Sequence, residues 1–157
     1  MRTFSLLKGL PVYTLQTGSR IGQICDISIS SNGMVKGLIV KKGTFLKRNC
    51  FIDIQNVASF GWDGIMVEDE TVLKPLKKPE PYTFESRQRL TGKMLMTSQG
   101  ERLGILEDVY FKEELGTIVG YECSDGFFSD ITEGKRVVKT DEPPAIGKDA
   151  IIVNVKE

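Results

Sequence analysis

The sequence predicts an all-β protein made of two small barrels in tandem. Three observations carry that expectation. First, a ten-residue stretch occurs twice, as Gly18-Ser19-Arg20-Ile21-Gly22-Gln23-Ile24-Cys25-Asp26-Ile27 and as Gly100-Glu101-Arg102-Leu103-Gly104-Ile105-Leu106-Glu107-Asp108-Val109. Second, apolar and polar residues alternate after each copy, Ile27 and Ile29 with Ser28 and Ser30, Val109 and Phe111 with Tyr110 and Lys112. Period two marks a strand with one buried face. Third, glycine turns recur at short intervals and no long amphipathic helix is present, which suits a small barrel or curled sheet.

The first element of each half is a turn feeding a strand. Gly18 and Gly100 permit positive φ at the turn. Gly22 and Gly104 stand where the strand starts, as a strand glycine does at a bulge or a close backbone approach. Ile24 and Ile27 are three apart, as are Leu106 and Val109. The alternation therefore slips near Asp26 and Asp108, and a bulge there accounts for it. Both aspartates are read as structural turn residues that bind local backbone donors.

The remaining elements follow in order. A strand is expected over Pro11 to Leu15, a second over Ile21 to Ser30, and a third over Val35 to Lys41, with Ser31-Asn32-Gly33 as the hairpin turn between them. A loop runs to Asn49, a strand to Ile54, and a short helical turn over Gln55 to Phe60. Gly61-Trp62-Asp63-Gly64 then turns into a strand at Ile65 to Val67. The second half repeats this order. Val35 to Val40 with Gly43 matches Ile118 to Cys123 with Gly126, and Phe60 to Val67 matches Ile146 to Val153, so Asp63 and Asp149 hold equivalent turn positions. Three matched blocks make an internal duplication of about 70 to 80 residues, a domain-sized unit. The expected boundaries are a first barrel over 1–75, an extended linker over 76–89 marked by Lys77-Lys78-Pro79-Glu80-Pro81, and a second barrel over 90–157.

Composition narrows the function. Lys plus Arg equals Asp plus Glu, 21 each, so no global charge draws the chain to nucleic acid or anionic membrane. The three cysteines, Cys25, Cys50 and Cys123, are odd in number and show no paired spacing, which suggests neither disulfides nor zinc. Histidine is absent, and with it the commonest general base and zinc ligand. No cofactor or metal is expected. No apolar run is long enough for a signal peptide or a membrane span, so the expectation is a cytoplasmic protein.

The order of these blocks resembles the PRC-barrel family, whose small barrel occurs in the cytoplasmic part of the photosynthetic reaction centre H subunit and at the C-terminus of the ribosome maturation factor RimM. The resemblance rests on the G-x-x-aliphatic-G-x-aliphatic-x-D-aliphatic entry, the glycine in the third strand, and the late G-x-D-small-Ile-apolar-Val block. It covers both halves. It implies a non-enzymatic adaptor that binds protein partners, in some members on ribosome-assembly particles. This chain has neither the membrane helix of the H subunit nor the separate N-terminal domain of RimM, so neither function transfers directly.

The candidate carboxylates sit in matching positions of different barrels rather than around one substrate, which argues against a catalytic pair. Gly18-x-x-x-Gly22 is not a phosphate-binding loop, since no helix follows it. The surface candidate is Lys41, Lys42, Phe45, Leu46, Lys47 and Arg48, with Phe127 and Phe128 as the counterpart in the second half. Here the aromatics either cap the barrel end or form an exposed patch of the kind that marks a protein interface. The leading expectation is a protein partner. A second is RNA or a ribosomal particle, bound by this basic loop with Lys74, Lys77 and Lys78. A third is a small enzyme or ligand binder with a site between the barrels. Barrel edges also leave room for a homodimer.

Overall fold

The computed structural model describes residues 1–43, 45, 47–76, 81–124 and 135–155. Its first sheet is built from β2 (Pro11–Thr14), β3 (Arg20–Ile29), β4 (Val35–Lys42), β5 (Arg48–Asp53), β6 (Ser59–Phe60), β7 (Ile65–Val67) and β8 (Lys74–Pro75), in the order β6-β7-β2-β3-β4-β5-β8. The second is built from β10 (Met94–Thr97), β11 (Arg102–Phe111), β12 (Ile118–Ser124), β13 (Lys135–Lys139), β14 (Ala145–Ile146) and β15 (Ala150–Val153), in the order β13-β12-β11-β10-β15-β14. The second order, read in reverse, matches the first strand for strand from β6 to β5, and β8 has no counterpart among the described residues. Each sheet is antiparallel except for one parallel pair, β2 with β7 and β10 with β15. The protein is all-β, as the alternation predicts.

The bulges repeat as well. β3 slips against β4 between Ile24 and Asp26, and β11 slips against β12 between Leu106 and Asp108. A second slip falls between Val12 and Tyr13 on β2 and between Leu95 and Met96 on β10. Each leaves one residue of the long strand unpaired and sharpens the local bend. The side chains Ile24, Ile27 and Ile29 are buried, as are Leu106, Val109 and Phe111. One cluster of buried apolar side chains includes residues of both halves.

Two segments differ from the expectation. Gln55 to Phe60 is expected to be a helical turn, but only Ile54–Asn56 is helical (3₁₀), and Ser59–Phe60 is strand β6 on β7. Val57 has extended φ and ψ, which ends the turn and lets the chain pair. The stretch 76–89, expected to be extended linker, contains β9 (Tyr82–Thr83), which pairs with β3.

The N-terminus behaves in the same way on the opposite sheet. β1 (Arg2–Thr3) pairs with β11, and α1 (Phe4–Leu7) follows, with the Thr3 side chain accepting from Leu6 N. The segment before each half thus lies on the other half's long strand. Phe4 and Phe84 pack with their rings tilted by 49° and their centroids 4.9 Å apart. Arg2 lies over the Trp62 ring at 4.2 Å and donates to the Phe60 carbonyl.

Candidate partner-binding surface

The repeated aspartates occupy the exchanged segments. Asp26 and Asp108 do not sit in turns, as expected of them. They stand inside β3 and β11, just after the bulges, and are buried. Each accepts from the next backbone N–H, Ile27 at 2.8 Å and Val109 at 2.9 Å. Asp26 also accepts from the backbone N–H of Phe84 at 3.0 Å, Glu85 at 3.1 Å and Ser86 at 2.9 Å, and from the Ser86 hydroxyl. Asp108 accepts from the Ser5 backbone at 3.2 Å and from the Ser5 hydroxyl. Carboxylates held by so many donors are latches for the exchanged segments, and their lone pairs are already committed.

The other predicted structural residues fall as follows. Gly18 and Gly100 have positive φ and stand just before β3 and β11. Gly22 and Gly104 are inside β3 and β11 rather than in turns. Gly22 lets β4 approach closely, since a Cβ there would stand 2.4 Å from Val40 Cγ1. Asp63 and Asp149 lie at bends before β7 and β15.

The basic loop leaves the end of β4 and enters β5. Phe45 is 97% exposed, so it does not cap the core. Lys41, Lys47 and Arg48 are exposed and Lys42 half-buried. Lys41, Lys42 and Lys47 join Arg20 around a cleft of about 630 Å³, where Glu70 stands 3.9 Å from the Lys42 ammonium. Among the described residues that is the one ion pair in the cleft. Leu46, Phe127 and Phe128 lie outside the described residues.

Arg20 is not among the basic residues expected at this surface from the sequence. It belongs to the repeated Gly-x-Arg motif, but the strand signal around it masked its charge. The second half lacks this cleft's full charge, since Ser124 holds the register position opposite Ile105 that Lys41 holds opposite Gln23.

The Cys25 thiol is half-buried and donates weakly to the Ile39 carbonyl at 3.4 Å. Burial pushes it up, and the neighbouring Asp26 charge pushes it further. It is a poor nucleophile in this setting. Among the described residues no group of three or more His, Cys, Asp or Glu side chains could hold a metal ion.

A domain model described as the PRC-barrel domain matches residues 1–73 and again residues 83–157. The chain belongs to the PRC-barrel family. It carries two PRC-barrel copies in tandem, and the second match begins at Thr83, the last residue of β9. The chain is also similar to the uncharacterized protein YrrD of Bacillus subtilis (strain 168), 37% identical over 158 residues, which span 98% of this chain and 88% of that protein. No helix among the described residues of this PRC-barrel protein is long and apolar enough to cross a membrane.

Proposed function

We propose that this protein is a non-enzymatic cytoplasmic adaptor whose first barrel docks a protein partner. The observation that carries this reading is Phe45, an aromatic side chain 97% exposed on the loop between β4 and β5, where Lys41, Lys42 and Lys47 form a basic collar with Arg20 around the cleft at that end of the sheet. Exposed aromatics anchor interfaces when a partner supplies an apolar pocket, and the collar steers an acidic rim toward it. A non-catalytic role is supported by the buried carboxylates, whose lone pairs hold backbone donors. It is supported also by a thiol that burial and Asp26 keep protonated.

The test is photo-crosslinking from a benzoylphenylalanine placed at position 45 in cells of the native host. It is paired with pull-down by the wild-type chain and by Phe45→Ser. Crosslinked protein that survives ribonuclease and is lost from the Phe45→Ser pull-down is the expected result. Because Phe45 is exposed, Phe45→Ser should change stability by only about 0.5 kcal/mol or less. Identical capture by both chains would remove Phe45 from the interface. The interleaving of cations with an aromatic also favours a second reading, single-stranded RNA stacked on Phe45. That reading requires ribonuclease-sensitive capture and affinity that falls steeply with salt.

A further inference from the structure

β13 is the register counterpart of β5. Cys50 stands opposite Val40 as Arg136 stands opposite Cys123, and Phe51 opposite Ile39 as Val137 opposite Glu122. β5 has a second neighbour, because antiparallel β8 places Pro75 beside Cys50 and Lys74 beside Phe51. Among the described residues β13 pairs with β12 alone. An unpaired strand edge presents a row of backbone donors and acceptors to any strand that approaches.

The surface beside that edge suits an incoming strand. Val137 is 50% exposed. A cleft of about 670 Å³ opens next to it, lined by Tyr110, Val119, Val137, Lys139 and Thr140. Thr140 is 3% exposed, and its hydroxyl has no hydrogen-bond partner among the described residues. A buried hydroxyl left unpaired is unfavourable until a ligand supplies its partner.

Charge decides which strand fits. β13 reads Lys-Arg-Val-Val-Lys, and Lys112 also lines the cleft, against a single acid, Asp141. Two copies of β13 would set like charges opposite one another, which is unfavourable across a strand pair. We infer that β13 and its cleft dock an extended acidic segment of a partner protein. The segment adds antiparallel to β13, in the place β8 fills on β5, with an apolar side chain packed against Val137. Main-chain hydrogen bonds supply the affinity, and the cleft and the lysines supply the specificity. The site lies on the second barrel and does not depend on Phe45.

The probe is the acetylated peptide Glu-Thr-Val-Glu-Val-Thr-Glu. Its control carries lysine in place of each glutamate. Both are titrated into the full-length chain labelled with ¹⁵N. The acidic peptide should shift the amides of β13, Val119 and Gly120 saturably, and the lysine peptide should not. Val137→Glu and Lys139→Glu, both at exposed positions, should each weaken binding roughly tenfold while distant amides stay unmoved. The inference is overturned by no saturable shift on β13, by equal shifts with the lysine peptide, or by shifts centred on the first-barrel cleft. Sedimentation of the chain alone supplies one more decisive result. A dimer that Val137→Glu dissolves would mean that a second copy covers this edge, and would overturn the acidic-segment assignment.

Discussion

A buried carboxylate that accepts four backbone N–H groups and a hydroxyl is a structural anchor, and Asp26 is one. In Asp26→Asn one oxygen becomes an amide nitrogen, which faces donors it cannot accept. Hydrogen bonds to charged groups contribute about 1.5–3 kcal/mol each, so Asp26→Asn should destabilise the protein by about 3 kcal/mol in urea unfolding. Asp108→Asn should cost less, because among the described residues Ser5 is its one long-range partner. Equal losses would show that donor number does not set the strength of the latch. Cys25 gives a test by pH. Its raised pKa leaves less thiolate at pH 8 than a free cysteine has, so native Cys25 should react slowly with iodoacetamide and quickly once unfolded. Mass spectrometry of timed labelling checks this. Native labelling as fast as that of glutathione would contradict it.

Elements in this protein are shaped by bulges and by places where backbones nearly touch. The slip at Asp26 and Asp108 was legible in the sequence, because the spacing of Ile24 and Ile27 breaks period two. The strand β6 was not, since two residues carry too little pattern to outweigh a helical reading of Gln55 to Phe60. Gly116 tests how tight these approaches are. It has φ of 78°, and a Cβ there would stand 1.9 Å from the Val35 carbonyl oxygen, which belongs to the other half. Gly18 has φ of 68° and open space around it. Gly18→Ala should cost only the left-handed strain, about 1 kcal/mol, whereas Gly116→Ala must also displace backbone and should cost about 3 kcal/mol or more. Thermal unfolding of both variants checks the order.

The whole molecule is held by exchange between its halves. Phe84, inside the expected linker, and Leu90, just after it, are buried. Phe84 N–H is bound by Asp26 of the first half. A fragment of residues 1–76 would lose that segment, and a fragment of residues 81–157 would lose Phe4 and Leu7. A fragment of residues 8–91 keeps the first sheet with the segment that lies on it. It should be more stable than 1–76 by about 3 kcal/mol or more, since each buried Phe or Leu side chain contributes about 1.5–3 kcal/mol. Urea unfolding of the two fragments decides the point. Equal stability would mean that residues 82–91 contribute little to the first half.

By itself the sequence determined the β class, the duplication, the bulges at the repeated aspartates and the basic character of the loop at Phe45. These are local properties, written in spacing and residue type. Only the tertiary structure decided that Asp26 is paired with Ser86 and Asp108 with Ser5, partners 60 and 103 residues away. It alone put Arg20 and Lys41 around one cleft and, among the described residues, left β13 without the neighbour that β5 has in β8. Such pairings depend on where the chain returns in space, and no period in the sequence records that.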